Sequence, residues 1–437
     1  HPDSATSTRF LRIYVMTAPP IPEDRKNPLL SPVLIVFMLA MILANLGGNM
    51  YGPLQSLYLE SLGATVTQIG LFYTLAQIVP LILQILGGWV SDALGRLRAI
   101  AIGSIFGTIG QLILVGSTTW GWVLLASAVS AGASALVGPS FDAFIAERSS
   151  EHNRARVFGI SQMLYGVVGV IGPPVGGWIV ERWGFKMMLI VAAGLYIAAT
   201  IIRIAMARGG KHDVVSYERS AFTLAGLKQN LGTMFGLLFA GGIITWILIT
   251  DGVRDVSYAM SLNFLSLYME QIAGLDISTI GILSGVFGLF TMAFMIPGGW
   301  LADKKGERFG ISLGFLLHSL AIGGIALVSP SSPAWVYYAG FAVAGTGVGF
   351  IVPGYQSLIS KVVPPHLRGT AFGLFSTSLG LISLPAPYLG SLLWKNISPQ
   401  FPFAVTAVVS LLSIIPVWLK FKLPEKTTAA TSQESAS

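Results

Sequence analysis

The chain of 437 residues is 53% hydrophobic and only 10% charged, with a mean hydropathy of +0.73. Soluble domains carry about 25% charged residues, so these values exclude an ordinary water-soluble globule and point to a chain solvated mainly by lipid. Cysteine is absent, which excludes disulfides, thiolate chemistry and Cys-based metal sites, and the five histidines show no ligand spacing; neither a metal nor a cofactor is expected.

Residues 1–31 read as a polar, Pro-containing cytoplasmic tail. Runs of roughly 20 apolar residues suffice to cross a hydrocarbon core of about 30 Å. Twelve such spans are expected, the first six near 33–62, 67–90, 98–117, 120–146, 156–181 and 186–206. The polar connection 207–230 separates them from six more near 243–272, 278–301, 309–328, 334–360, 370–394 and 401–421. The fold expected is an all-α membrane protein of two six-helix repeats, 32–206 and 231–421, with a second tail at 422–437. The seventh span has an open start: Ser266-Leu267-Tyr268 and Glu270 repeat Ser56-Leu57-Tyr58 and Glu60, which sets its beginning near Ile243, but the preceding 231–242 is also apolar. An earlier start and a separate interfacial helix both fit.

Charge fixes the orientation. The net charge of +7 resides in short loops between apolar segments, a membrane-orientation pattern rather than a nucleic-acid footprint. With the N-terminus inside, 22 of the 26 Lys and Arg residues fall on the cytoplasmic side, Arg182, Lys186 and Lys395 outside, and Arg254 within a span. The positive-inside rule then places both termini in the cytoplasm.

The chain repeats itself. Gly87–Arg98, GGWVSDALGRLR, returns at Gly298–Gly310 as GGWLADKKGERFG, offset by 211 residues. Pro139, Gly159, Gly166, Pro173 and Gly176 return as Pro353, Gly373, Gly380, Pro387 and Gly390, offset by 214. The chain therefore holds two parallel copies of one membrane unit. In the first motif, Gly87 and Gly88 let helices approach closely and Gly95 suits a tight turn. Asp92 fits the positive end of a neighbouring helix, an interaction worth roughly 0.3–2 kcal/mol. Gly299, Asp303, Gly306 and Arg308 occupy the second copy.

These residues resemble the major facilitator superfamily over about 33–421. Its motif A, G-x-x-x-D-x-x-G-R-[KR], is matched except that Leu97 stands before Arg98, and Glu307 replaces Arg96 in the second copy. The resemblance implies that Asp92 and Arg96 belong to a charge network joining the halves on the cytoplasmic side, with Asp142 or Glu147 as acidic partner. Gly159, Gly172, Pro173, Gly176 and Gly177 resemble motif C, associated with antiporters, apart from Val168 at its middle glycine. An ordinary Gly/Pro packing kink is the plainer reading. The basic residue of the drug antiporters' motif B is missing between Trp120 and Asp142.

Asp251, Arg254 and Asp255 share one helical face of the seventh span. Each charge at mid-membrane costs about 2.5–3.5 kcal/mol, so the three face the bundle interior or a cavity. They are candidates for a substrate and proton site, with Asn45, Asn49 and Gln55 opposite and Asn45 aligned with Asp255 through the repeat. A structural ion pair and polar helix packing are the alternatives.

The resemblance implies a monomeric secondary transporter in the cell membrane, working by alternating access and not an enzyme. The subtype expected is a proton-coupled exporter of small apolar or amphipathic compounds, similar to drug:proton antiporters. The alternatives are an importer or facilitator of a polar or anionic metabolite held by Arg254, and a non-transporting sensor or assembly subunit. An enzyme using Asp251 and Asp255 as acid and base lacks a nucleophile, metal ligands or a cofactor motif, and leaves the repeat unexplained.

Overall fold

A computed structural model describes residues 30–149, 153–209, 242–362 and 380–421, without the side chains of 84–94 and 155. The expected tails, most of the 207–230 connection and the start of the eleventh span lie outside the described residues. Within them the chain is helical, with no strand.

Helix α1 (Pro32–Tyr51) begins where Ser31 Oγ accepts the Leu34 N–H at 3.3 Å and where proline needs no N–H partner. It tightens into a 3-10 turn at Gly52–Leu54, where Pro53 offers no donor, and continues as α2 (Gln55–Ser61). A capping box between Thr65 and Gln68 starts α3 (Val66–Leu94). One residue, Gly95 at φ 83°, separates α3 from α4 (Arg96–Val115); only glycine holds that conformation without strain. Then come α5 (Trp120–Arg148) and α6 (Arg154–Gly209), the latter broken at Gly184, φ 79° and ψ 168°. That break separates the expected fifth and sixth spans, which meet across it rather than through a polar loop.

The second copy repeats these devices. Helix α7 (Gly242–Ser261) passes through a 3-10 turn at Leu262–Phe264 into α8 (Leu265–Gln271), as α1 passes into α2. It begins beside the expected Ile243, and 231–241 lie outside the described residues. Asp276 Oδ1 caps α9 (Ile277–Lys305) by accepting the Thr279 N–H at 2.8 Å, and Gly306 at φ 91° turns the chain into α10 (Glu307–Ile325). The remainder is α11 (Ala334–Val362), α12 (Ala386–Asn396), α13 (Phe401–Leu412) and α14 (Ile414–Lys420).

Among the described residues, nine helices are long and apolar enough to cross a membrane. Their outer faces agree: Ile296 is 83% exposed, and Trp122, Trp178, Trp183, Trp335 and Trp418 also face outward. Such faces are unfavourable in water and natural in lipid, where tryptophan collects at the interfaces.

The core is divided unevenly. One cluster unites both copies, packing Met50, Leu54 and Tyr58 with Phe264, Leu267 and Tyr268. Towards the Gly95 and Gly306 turns each copy keeps its own cluster, Phe37, Phe141 and Ile145 in the first and Phe315, Ile351 and Leu358 in the second. Among the described residues, the copies therefore share one core cluster at one end and keep separate clusters towards the other.

Glycines set the contacts between copies. A Cβ on Gly281 of α9 would stand 2.5 Å from the Pro173 carbonyl oxygen on α6, and one on Gly70 of α3 would stand 2.7 Å from the Pro387 carbonyl oxygen on α12. These two contacts are repeat equivalents. Within each copy, Gly176 abuts the Met50 backbone as Gly390 abuts Met260.

Candidate functional site

Between the copies lies a cavity of about 900 Å³. Asn49 and Gln55 line it from the first span, and Gln162, Asn263, Thr291 and Gln356 line it from others. Tyr73, Phe287 and Phe341 supply aromatic surface, and Met292 and Met295 supply adaptable apolar surface. Among the described residues no Asp, Glu, Lys or Arg side chain lines it. A wall of amides, hydroxyls, rings and thioethers accommodates an amphipathic molecule with a few hydrogen-bonding groups. Asn45 is absent from the lining; its Nδ2 donates to the Met41 carbonyl at 2.9 Å, and Asn49 Nδ2 donates to the Asn45 carbonyl at 2.8 Å.

Asp251, Arg254 and Asp255 do come together, but beside the cavity rather than in its wall. Arg254 Nη2 stands 2.6 Å from Asp251 Oδ1 and donates a hydrogen bond to Asp255 Oδ1 at 2.9 Å. The Asp251 contact is an ion pair without hydrogen-bond geometry. The side chains of Asp251 and Arg254 are each 14% exposed and that of Asp255 30%, so Asp255 has the freer access. Rings of Tyr258, Phe315 and Tyr355 surround the guanidinium at 5.4, 5.8 and 5.5 Å. One cation between two carboxylates, screened by aromatic faces, leaves the cluster one negative charge in excess. The link from this cluster to the cavity is His318, which lines the cavity and stacks on Tyr258 with ring centroids 4.6 Å apart. Neither residue stands out in the sequence, because their meeting depends on how α7 and α10 cross.

At the opposite end of the bundle from the shared core, the motif residues are only partly described. Gly88 and Asp92 lie on α3, and the Asp92 side chain is outside the described residues, as is any network it joins. Arg96 Nε lies 3.1 Å from Glu147 Oε1, an ion pair between α4 and α5 inside the first copy. Arg98 and Asp142 are exposed. In the second copy Glu307 contacts Lys361 and accepts a hydrogen bond from Ser357 at 2.9 Å. The same pair is present with its signs exchanged: Glu307 answers Arg96 and Lys361 answers Glu147. Aligning Glu147 with Lys361 at the offset of 214 would have revealed this from sequence. Asp303 is exposed at the end of α9, Gly299 lies beside Pro353 and Arg308 donates to the Trp418 carbonyl at 3.1 Å.

The motif C glycines are packing surfaces. A Cβ on Gly172 would meet Asn49 Cβ at 2.6 Å, and one on Gly177 the Ile277 carbonyl at 2.8 Å, whereas Gly159 faces open space. Helix α6 is thus held between α1 of its own copy and α9 of the other, with Pro173 at the crossing.

At the end with the shared core, Ser266 Oγ donates to the Pro53 carbonyl at 2.5 Å and Gln271 donates to Glu60, both joining the two copies. Among the described residues no candidate metal cluster of three or more His, Cys, Asp or Glu side chains occurs.

The family model described as Major Facilitator Superfamily matches residues 37–377, and again 247–436. An uncharacterized MFS-type transporter of Methanocaldococcus jannaschii is 25% identical over 377 residues, covering 85% of this chain and 90% of its own. The quinolone resistance protein NorA of Staphylococcus aureus is 24% identical over 395 residues, covering 89% and 96%. Among solved structures, a variant of the nucleoside transporter NupG superposes with a TM-score of 0.72 at 16% identity, covering 89% of this chain and all of its own. A bacterial homologue of the iron transporter ferroportin in its inward-facing state gives 0.71 at 14%, covering 88% and 98%. At such identities the structures speak to the fold alone. Sequence family and fold agree: this chain belongs to the Major Facilitator Superfamily and is an integral, multi-pass membrane transporter rather than an enzyme.

Proposed function

We propose that the protein is a proton-coupled exporter of small apolar or amphipathic compounds, working by alternating access. In this reading twelve spans form two six-helix halves with both termini in the cytoplasm of a cell whose plasma membrane holds the protein as a monomer. In that orientation the end where the copies share a core cluster is the outer side, and the cavity takes its substrate from within.

The observation that carries this reading is the separation of two chemistries. The cavity wall has no charged side chain among the described residues, while two carboxylates and one guanidinium stand just behind it. A neutral wall suits a substrate with a large apolar part; a cluster with one negative charge in excess suits a proton. The likeness to the quinolone resistance protein supports export of aromatic amphipathic molecules. Import of an anion gripped by Arg254 gains no support, since both carboxylates already engage that guanidinium inside an aromatic cage.

The test uses purified protein in proteoliposomes with ethidium as a fluorescent amphipathic probe and the membrane potential clamped. Ethidium should accumulate in vesicles that are acidic inside and redistribute when an ionophore collapses the proton gradient. Equal uptake with and without the gradient refutes proton coupling.

A further inference from the structure

A second pocket, of about 430 Å³, is lined by α3, α5 and Gln55 of the first copy. It shares Gln55 and Tyr73 with the central cavity, so the two spaces adjoin, and each is of a size that holds a small molecule. Among the described residues no Asp, Glu, Lys or Arg lines the smaller pocket. The repeat relates the two linings. Gln55, Ala76, Gln77 and Ser127 of the smaller pocket answer Leu265, Phe287, Gly288 and Phe341, and those four all line the central cavity. The α3–α5 wall and the α9–α11 wall are therefore the same surface in the two copies.

Their chemistry differs. Where the first wall has the amides of Gln55 and Gln77 and the hydroxyl of Ser127, the second has Leu265, Gly288 and the ring of Phe341. The hydroxyls that the second wall does carry are engaged by its own backbone. Ser284 Oγ donates to the Ile280 carbonyl at 3.0 Å, and Thr291 Oγ1 donates to the carbonyls of Phe287 and Gly345 at 2.9 and 3.2 Å. The open amide of Gln356 stands about four turns further along α11 than Phe341. On the first wall, Gln77, Ser127 and Ser134 line the pocket and make no hydrogen bond to any described residue. Gln77 and Ser127 are half-buried and Ser134 is exposed, and the two serines share one face of α5, two turns apart. Each of the three side chains can both donate and accept. With no countercharge in the lining, they suit an uncharged polar group; an ion placed there would lose water without gaining a partner.

We propose that substrate binds in one orientation across the two walls. Its uncharged hydrogen-bonding end enters the pocket of Gln77, Ser127 and Ser134, and its apolar body lies on Leu265, Phe287 and Phe341 of the second copy. This orientation rests on the amphipathic-substrate reading of the cavity and narrows the substrate class. The substrate is long enough to touch both copies and carries a neutral polar group, such as a carboxamide, at one end.

The probes are 7-diethylaminocoumarin and its 3-carboxamide, which share a fluorescent apolar body and differ in one uncharged polar group. Binding of each to full-length protein in lipid nanodiscs is followed by fluorescence, with the signal of empty nanodiscs subtracted. Wild type should hold the carboxamide about tenfold more tightly than the parent, a comparison that needs no variant to fold. Gln77→Leu and Ser127→Ala each remove one hydrogen-bonding group, and each should cut that preference about two- to tenfold. Phe341→Ala takes apolar contact from the shared body, so it should weaken both probes by the same factor and keep the preference. Equal affinity of the two probes in wild type overturns the orientation. So does a preference that survives both polar substitutions, or one that Phe341→Ala abolishes. If neither probe binds saturably, the amphipathic-substrate reading itself fails; if both bind without preference, the orientation alone fails.

Discussion

Arg254→Met is the most informative perturbation of the seventh span. It removes the one cation between Asp251 and Asp255, whose carboxylate oxygens lie 2.6 and 2.9 Å from the same nitrogen. Breaking a buried pair by deleting one partner costs about 3–5 kcal/mol. The sites are 14% and 30% exposed, which puts the value toward the lower end of that range. The two stranded carboxylates also repel, by about 3 kcal/mol for charges roughly 5 Å apart at an effective dielectric of 20, unless one takes a proton. Protonation therefore caps the loss. The aromatic cage loses its cation as well, roughly 0.5–1 kcal/mol per ring, partly offset by the thioether of methionine against those rings. A net loss of about 3–5 kcal/mol moves the unfolding equilibrium by roughly two to four powers of ten. Unfolding in mixed micelles, followed by tryptophan fluorescence and circular dichroism, reads this directly. Neutralising both carboxylates in the Arg254→Met background should recover most of the loss, because no buried charge then lacks a partner. If Arg254→Met lies within about 1 kcal/mol of wild type, or the neutral triple variant is no better than the single, the cluster is not a buried electrostatic unit.

On the native cysteine-free background, a single thiol at Ser332 should react with an impermeant reagent from outside and one at Lys304 only after permeabilisation, and the reverse pattern would invert the orientation. Gly281→Val puts side-chain atoms where the Pro173 carbonyl already stands 2.5 Å from a Cβ, so it should pry apart the end with the shared core and raise outside labelling of a thiol in the cavity; unchanged labelling contradicts that packing. Exchanging Glu307 and Lys361 gives the second copy the signs of Arg96 and Glu147, and should be tolerated within about 1 kcal/mol, whereas Glu307→Lys alone sets two cations together and should lower stability measurably.

Much of the frame is legible in the sequence because it depends on local chemistry. Gly95 suits a tight turn in the sequence and turns the chain with positive φ, as does its repeat copy Gly306; the caps at Thr65 and Asp276 and the break at Pro53 are added by the structure. Helical periodicity likewise gathers Asp251, Arg254 and Asp255 on one face. Periodicity cannot say what that face meets, and here it meets Phe315 and Tyr355 rather than the open cavity. His318 is one polar residue in an apolar run; only the crossing of α7 and α10 lays it on Tyr258. Glu307 reads as a departure from a motif until Lys361 stands beside it. Interhelical partners need the packing angle, and the sequence carries that only indirectly, through small residues such as Gly177, Gly281 and Gly70 that permit close approach.

In the proposed mechanism a carboxylate of the seventh span couples proton movement to transport, with Asp255 the more accessible of the two. Asp255→Asn measured in one set of proteoliposomes for both uphill accumulation and exchange of ethidium tests that coupling most directly. Accumulation against the gradient should disappear while ethidium–ethidium exchange continues near the wild-type rate. Uphill accumulation at the wild-type rate in Asp255→Asn would contradict the mechanism.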